Sequence, residues 1–274
     1  MILRRGALTG WVRKNLRLAE TGETLDVYFR SDDESWVETM QELRFDRLPG
    51  LERVDSAKTA IVHRGHAGPG GDAVYFKQYL CRDRSDRFKN LVRPSRAKRA
   101  LLHSETCKAL GFHVAEPCCL AETYQNGVLT WCVLVTRAVE NAPSLKACLQ
   151  NGDRTERRHI LDAYASTLAA WHAAGLYHGD LNAGNILVRH DESGVRFFWL
   201  DLERVGRLGA LSFRRRAKEL TQLNYDPKLL SRTERMYFWK HYAKACGLGA
   251  GEQEQLVREV IRRTRYRWRK RGWI

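Results

Sequence analysis

The alternation of apolar and polar residues predicts strands in the first half of the chain. Residues 59–64 (TAIVHR) and 73–79 (AVYFKQY) are rich in β-branched and aromatic residues, and the turn-forming stretch GHAGPGGD between them predicts a β-hairpin. Two further strands are expected at 117–122 and 128–137, divided by a turn at QNG. Between the two pairs, RAKRALLHSETCKAL predicts a helix that stops at Gly111. This half is therefore predicted to be a small α+β lobe.

The second half of the chain changes to a helical pattern. Apolar residues recur at three- and four-residue intervals from Ile160 onward, with Asp153 as the expected helix cap and Gly175 as the stop. The strand NILV, a turn at DESG and the apolar strand VRFFWLDL follow. From about residue 213 the pattern is helical and basic, so this half is predicted to be mainly α-helical.

Composition excludes several classes of protein. With 274 residues, of which 43% are hydrophobic, the chain can bury a sizeable core without disulfides. No run approaches the ~18 apolar residues of a membrane span, and the first residues lack the apolar region of a secretory signal. The seven cysteines are scattered without a CxxC pair, which favours reduced thiols over a zinc site. We expect a cytoplasmic protein.

The charge of the chain predicts an acidic partner. A formal net charge of +15 is compatible with nucleic acid, an anionic membrane surface or a phosphorylated or carboxylated substrate. The C-terminal stretch RRTRYRWRKRGWI adds Tyr266 and Trp268 to a basic run. It is either a solvated charged end or an anchor to an anionic leaflet, where aromatic and basic residues both favour the interface.

Candidate chemistry lies in the stretch YHGDLNAGNILV. Asp180 and Asn185 stand five residues apart, and Gly179 and Gly184 allow the backbone to turn so that both side chains point to one side. Asp201 follows the predicted strand FFWL, which would present it beside this loop. Carboxylate and amide oxygens suit Mg²⁺ held jointly by protein and phosphates. Taken alone, the loop could also be an ordinary turn rich in Asp, Asn and Gly.

A second candidate is Lys77 in the apolar strand VYFKQY. Strand alternation aims Lys77 at the same face as Tyr75 and Tyr79. Burying a lysine is costly unless a negative group meets it, and a nucleotide phosphate would do so. The alternative is a lysine on an edge strand that extends its ammonium into water.

In their order along the chain these residues resemble the motifs of protein kinases. HGDLNAGN is similar to the kinase catalytic loop, Lys77 to the strand lysine, and Asp201 in LDLE to the metal-binding aspartate of the DFG motif. More narrowly, RPSRAKRALL, LGFHVAEP, RRRAKELTQLN and LSRTERMYFWKHY resemble the lipopolysaccharide kinase (Kdo/WaaP) family. The resemblance covers roughly residues 59–245.

The resemblance implies an α+β, two-lobed protein-kinase-like fold with a small β-rich N-lobe and a mainly α-helical C-lobe. Residues 1–55 would be an N-terminal extension that packs on the N-lobe or forms part of it. Residues 56–140 would form the ATP-binding N-lobe, and 141–274 the C-lobe with its basic tail.

The resemblance also implies catalytic roles. Asp180 would orient the acceptor hydroxyl and take its proton, and Asn185 and Asp201 would hold Mg²⁺. Lys77 would hold the phosphates of ATP.

Further nucleotide contacts follow from the same resemblance. The backbone from Thr136 to Asn141, which includes Val139, would hydrogen-bond the adenine, and Glu105 is the helix carboxylate expected to pair with Lys77. Position 179 is glycine where protein kinases usually have an arginine that senses phosphorylation, so we expect no such switch. Asn182 stands where many protein kinases have a lysine, which favours sugar kinases.

The function expected from the resemblance is ATP-dependent phosphorylation of a heptose or Kdo hydroxyl in the lipopolysaccharide inner core. The substrate would be a lipid-linked saccharide, lipid A–core, and the enzyme would lie peripherally on the inner membrane. Basic runs RDRSDRFKNLVRPSRAKR and SFRRRAK would line the acceptor groove. Two alternatives are a small atypical Ser/Thr protein kinase and a non-catalytic kinase fold that acts as a scaffold or binds nucleic acid. Nucleic acid is not the expected partner, because Lys77, Asp180, Asn185 and Asp201 are all present.

Overall fold

The computed structural model describes residues 8–30, 33–44, 46–54, 59–68, 70–80, 93–192 and 194–274. The chain divides into two compact units. The first contains the described residues up to Ala109 together with Ala115–Ala138, and the second contains Leu110–Val114 and Val139–Ile274. The first unit is rich in strands and the second in helices, which confirms the predicted α+β class.

The first unit is built on a seven-stranded antiparallel sheet of order β1-β2-β7-β8-β5-β4-β3. Its strands are β1 Trp11–Arg17, β2 Thr24–Arg30, β3 Glu52–Val54, β4 Ala60–Ala67, β5 Asp72–Tyr79, β7 Pro117–Gln125 and β8 Val128–Arg137. The predicted hairpin is confirmed as β4–β5, and the other two predicted strands as β7 and β8. Strands β1, β2 and β3 were not predicted; they lie within the expected N-terminal extension, residues 1–55, and complete this sheet.

A helix packs on each face of that sheet. Helix α1 (Trp36–Arg44) buries Trp36 and Met40 against side chains such as Phe76. Helix α2 (Arg96–Ala109) buries Ala100 and Leu101 on the opposite face, among Tyr79, Leu120 and Leu134. Side chains of the sheet pack alternately against α1 and α2, because successive residues of a strand point to opposite faces. The predicted helix is thus confirmed as α2, and Gly111 follows it with a φ of 83°.

The second unit combines small sheets with five helices among the described residues. One sheet has the order β10-β11-β6 and another pairs β12 with β9. The strands are β6 His113–Val114, β9 Leu176–Tyr177, β10 Ile186–Asp191, β11 Gly194–Trp199 and β12 Gly206–Arg207. The helices are α3 Leu145–Asn151, α4 Arg154–Ala173, α5 Phe213–Leu223, α6 Arg232–Ala245 and α7 Ala250–Lys270. The predicted helical character is confirmed.

Helix α4 lies in the core of the second unit and packs against strand β11. Asp153 caps it by accepting hydrogen bonds from the N–H groups of Thr155 and Glu156 at 2.7 and 2.9 Å. Near its end Trp171 is fully buried and stacks on Trp199 of β11, with ring centroids 4.2 Å apart. This aromatic contact places the end of β11 firmly on the core.

Two expectations from composition can be compared with the structure. Across the described ranges, no helix is long and apolar enough to cross a membrane. The six cysteines that the structure describes are free, and most are buried, as predicted. Cys81 lies outside the described residues.

We predict that His172 makes the stability of the protein fall in mild acid. Its side chain is 2% exposed, its Nδ1 lies 2.7 Å from the Tyr242 hydroxyl, and burial lowers its pKa to about 3, with a further contribution from Arg216. An unfolded histidine protonates near pH ~6.5. The contribution of neutral His172 to the free energy of unfolding is therefore intact above pH ~6.5. It is lost at up to about 1.4 kcal/mol per pH unit as the pH falls toward 3.

Urea unfolding at several pH values tests this prediction. His172→Gln cannot ionise, so the free energy of unfolding of this variant should fall less steeply between pH ~6.5 and 4 than that of the wild type. Equal slopes in both proteins would show that His172 does not cause the acid sensitivity.

Candidate active site

The stretch His178–Asn185 joins β9 to β10 as a loop tied by its own side chains. Ala183–Asn185 form a short 3₁₀ turn, and the Asn182 side-chain oxygen accepts a hydrogen bond from the Gly184 N–H at 2.9 Å. The Asn185 side-chain nitrogen donates to the carbonyl of Asp180 at 2.9 Å. This bond joins the two predicted residues and leaves the Asn185 amide oxygen as the free end of the side chain.

Two side chains of helix α5 hold this loop from below. The Glu219 carboxylate accepts the backbone N–H groups of His178 and Gly179 at 2.6 and 2.9 Å. Gln222 accepts the N–H of Leu181 at 3.1 Å and donates to the carbonyl of Gly179 at 3.1 Å. Consecutive backbone groups just before and after Asp180 are therefore hydrogen-bonded to one helix.

Glu219 is a buried carboxyl with opposing influences on its charge. Its residue is 1% exposed, and burial raises the pKa of Glu219 above its ordinary value, with the negative charge of Asp180 acting in the same direction. The N–H donors of His178 and Gly179 act in the opposite direction, because they favour the ionised form. The carboxylate depends on those two donors to compensate for its burial.

Gly179 shows why this loop has no side chain at that position. Its φ is +80°, and a Cβ built on it would lie 2.7 Å from the carbonyl oxygen of Arg204 and 2.9 Å from the Arg204 Cβ. An arginine at position 179 would clash with this backbone and would adopt a strained left-handed conformation. The glycine is required by the packing of the loop.

Asp201 is held beside the loop through the residue before it. The Leu200 N–H donates to the carbonyl of Asn185 at 2.9 Å, and His178 Nε2 donates to the carbonyl of Leu200 at 2.8 Å. The buried imidazole also accepts the N–H of Asp180 at 3.4 Å through Nδ1. Asp201 itself adopts a left-handed conformation with a φ of 58°. The predicted placement of Asp201 beside the loop is confirmed.

The oxygen donors of this loop fit a hard cation. Asn185 offers an amide oxygen and Asp201 a carboxylate, and Mg²⁺ prefers oxygen ligands and keeps several waters. Within the described part of the chain, no group of three or more His, Cys, Asp or Glu side chains could hold a metal. A cation here would therefore combine Asn185 and Asp201 with ligands from outside the protein.

The carboxylate of Asp180 is accessible to a substrate. Its side chain is 37% exposed, and the Arg204 guanidinium lies 4.0 Å from one carboxylate oxygen. Because Arg204 is itself 53% exposed, solvent weakens this ion pair and Asp180 can exchange it for another partner.

In the first unit, Lys77 lies in the middle of β5, opposite Val62 on β4 and Leu134 on β8. Its ammonium is 5.2 Å from the centre of the Tyr79 ring, which confirms that the two side chains share a face. Lys77 is half-buried, on an interior strand of the sheet, so the edge-strand alternative is wrong.

Glu105, the expected partner of Lys77, is occupied elsewhere. On α2 its carboxylate pairs with Arg30 at 3.2 Å and with Lys108 at 3.7 Å. Among the ion pairs of the described residues, none joins Glu105 to Lys77. The structure therefore does not support that pairing, and its role stays a prediction.

The predicted adenine-binding stretch contains the point at which the chain passes from one unit to the other. Thr136 belongs to β8 and is paired with Tyr75, whereas Val139 is the first residue of this stretch in the second unit. The Ala138 N–H donates to the carbonyl of Ala73 at 2.8 Å. Adenine binding by Thr136 and Val139 stays a prediction.

Sequence reasoning missed Glu219 and Gln222. Both lie in RRRAKELTQLN, a stretch that carried the family resemblance without any assigned role. Their signal is a carboxylate and an amide three residues apart, on the helix face that also buries Ala217 and Leu220. Polar residues on an apolar helix face indicate a buried hydrogen-bonding partner.

Comparison with known proteins identifies the family to which the chain belongs. The model of the lipopolysaccharide kinase (Kdo/WaaP) family matches residues 75–242, which is more than half of the chain. The chain belongs to this family and is therefore a kinase.

Among solved structures, one of WaaP in complex with acyl carrier protein matches with a TM-score of 0.54 and 16% identity, over 81% of this chain and 92% of that chain. At this identity the likeness shows the fold, and it confirms the predicted kinase-like class. The search of curated proteins found no match.

We predict that removing the Glu219 carboxylate destabilises the loop. Glu219→Ala leaves the N–H groups of His178 and Gly179 without their acceptor, and each buried unsatisfied group costs about 1–3 kcal/mol. Urea unfolding and amide hydrogen exchange at these two residues should both show the loss.

Two further variants serve as controls. Glu219→Gln keeps one acceptor oxygen and should lose less, whereas Lys218→Ala changes an exposed neighbour on the same helix and should be nearly neutral. If Glu219→Ala costs no more than Lys218→Ala, the two hydrogen bonds do not stabilise the loop.

Proposed function

We propose that this protein transfers the γ-phosphoryl group of ATP to a sugar hydroxyl, of heptose or Kdo, in the lipopolysaccharide inner core. The observation that supports it best is the hydrogen-bonded loop that carries Asp180 and Asn185. The Leu200 N–H bonds to this loop and so places Asp201 beside it. The chain also belongs to the lipopolysaccharide kinase family. Phosphoryl transfer depends on positioning and on neutralising charge, and a rigid loop supplies the first.

In this proposal each residue has one role. Asp180 orients the acceptor hydroxyl and takes its proton, and its partial exposure leaves it open to that hydroxyl. Asn185 and Asp201 hold Mg²⁺, which neutralises charge on the phosphates when bound. Lys77 binds phosphate oxygens of ATP, as suits a cation held among apolar side chains.

The remaining nucleotide contacts are backbone contacts. The stretch from Thr136 to Asn141, with Val139, would offer N–H and C=O groups to the adenine. Glu105 is left out of this scheme, because Arg30 and Lys108 already compensate its charge.

We predict that Asp180→Asn lowers kcat about 10²- to 10⁴-fold, because the general base is lost while the shape of the side chain is kept. Asp201→Asn and Lys77→Met should also lower phosphate transfer. The assay follows label from ATP into core-bearing lipid A in the presence of Mg²⁺. Asp191→Asn, which removes a carboxylate paired with Arg196 at the turn of the β10–β11 hairpin, should keep its activity.

The same assay distinguishes the alternatives. Folded wild-type protein that transfers no phosphate to heptose or Kdo would contradict the proposal. Label found in protein and absent from lipid would favour a protein kinase. Salt-sensitive nucleic-acid binding that survives Asp180→Asn, with no thermal shift by ATP, would favour the non-catalytic binder.

We further propose that the enzyme associates peripherally with the anionic cytoplasmic face of the inner membrane. A net charge of +15 supports this, because each basic residue near an anionic surface contributes about 1 kcal/mol. Sedimentation with vesicles should show binding to phosphatidylglycerol-containing membranes that weakens strongly as salt rises from about 0.05 to 0.5 M. Binding to neutral vesicles that is equally strong and indifferent to salt would contradict the electrostatic attraction.

A further inference from the structure

A pocket of about 660 Å³ in the second unit borders directly on the catalytic loop. Its walls come from four separate parts of the chain: the loop at Asn182–Gly184, Lys146 on α3, Gln222 of α5 with the following segment Tyr225–Leu229, and the C-terminal residues Arg271–Trp273. A pocket built from such distant segments exists only in the folded unit.

The charges around this pocket favour an anion. Three cationic side chains line it, from Lys146, Lys228 and Arg271, against one carboxylate, that of Asp226. Asp226 accepts the backbone N–H of Lys228 at 2.9 Å. Among the ion pairs of the described residues, none involves any of the three cations. Cations that are not neutralised by the protein attract an anionic ligand.

Tyr225 and Trp273 contribute aromatic rings to the walls, beside the aliphatic side chains of Ala183, Pro227 and Leu229. The Arg271 guanidinium lies 5.9 Å from the centre of the Tyr225 ring and 5.0 Å from that of Trp273. A few placed polar groups among aromatic side chains are typical of small-molecule sites. The pocket therefore combines rings for a sugar face with cations for its acidic substituents.

The C-terminal residues are held against this pocket by the end of α7. The Trp268 indole donates to the carbonyl of Asn224 at 3.0 Å, and Arg267 stacks 3.2 Å from the centre of the Tyr225 ring. The Trp273 N–H donates to the carbonyl of Trp268 at 3.0 Å. Trp268 thus holds the tail to the second unit, while Tyr266 is 68% exposed. The membrane-anchor role considered from the sequence stays a prediction.

The Asn182 side chain connects the pocket to Asp180, the proposed general base. Asn182 lines the pocket, and its side-chain nitrogen lies 3.3 Å from the carbonyl of Asp180, to which it donates. A saccharide seated in the pocket would therefore lie next to the backbone that carries the proposed general base.

We infer that this pocket binds the acceptor saccharide through its phosphate or carboxylate groups, with Lys146, Lys228 and Arg271 as the residues that select an anionic sugar. The inference rests on the proposed function and adds the recognition site. The expectation that two other basic runs line the acceptor groove stays a prediction. Residues 82–92 of the first run lie outside the described residues, and Arg215 of the second run stacks on Tyr177.

The test replaces the three cations by glutamine in Lys146→Gln, Lys228→Gln and Arg271→Gln, singly and together. The acceptor is deacylated core oligosaccharide with its phosphates and Kdo carboxylates. We expect the triple variant to raise the KM for this acceptor about 10- to 100-fold, because charge-assisted hydrogen bonds to the anion are lost. The KM for ATP and kcat should change less than about 2-fold, because the nucleotide groups are untouched.

A second triple variant controls for net charge. Lys240→Gln, Lys244→Gln and Arg265→Gln remove the same charge from exposed positions of α6 and α7 outside the pocket. This variant should keep the wild-type KM for the acceptor. Equal KM values for the pocket variant and this control would overturn the inference, whether both rise or neither does, while the proposed function stands.

Phosphatase-treated oligosaccharide and direct binding complete the design. Removing the phosphates should weaken binding by the wild type more than by the pocket variant, because the two changes delete the same contacts. If the wild type transfers no phosphate, the proposed function fails, and calorimetric binding of the same oligosaccharide decides the inference. Binding lost in the pocket variant and kept in the control supports it, and equal binding in both overturns it.

Discussion

The candidate site depends on the hydrogen bonds between helix α5 and the loop around Asp180. Backbone N–H groups of a glycine-containing loop must find acceptors when they are buried, and here Glu219 and Gln222 provide them. A carboxylate that accepts two N–H groups holds both strongly because the bonds are charge-assisted. The backbone on both sides of Asp180 is therefore fixed to helix α5 by hydrogen bonds.

Hydrogen bonds from the same loop also fix the backbone next to the second carboxylate, that of Asp201. His178 is fully buried and bonds to the carbonyl of Leu200, while Asn185 accepts the N–H of that residue. These bonds set the backbone immediately before Asp201, whose left-handed conformation would otherwise be unfavourable for a residue with a side chain. The positions of Asp180, Asn185 and Asp201 are consequently linked through hydrogen bonds to the backbone of this loop and of Leu200.

Much of the fold could be predicted from the local pattern of apolar residues, and the elements that were missed have identifiable physical causes. The apolar runs of β5, β7, β8 and α4 are long and regular, so their periodicity identified them. Strand β1, Trp11–Arg17, was missed because it is an edge strand with mostly polar, half-buried or exposed residues. Its partner β2 pairs in turn with β7, nearly a hundred residues further along the chain, and no local pattern reports such pairing.

By itself the sequence determined most of the longer elements and the excess of positive charge. It also showed Lys77, Asp180, Asn185 and Asp201 in an order that resembles kinases. The tertiary structure alone decided which groups meet. It paired Glu105 with Arg30, 75 residues away, and brought Glu219 to a loop 40 residues before it. It also gathered cations from three separate segments into one pocket. The physical reason is that periodicity reports which side of an element is buried, whereas hydrogen bonds and ion pairs depend on distances that only packing sets.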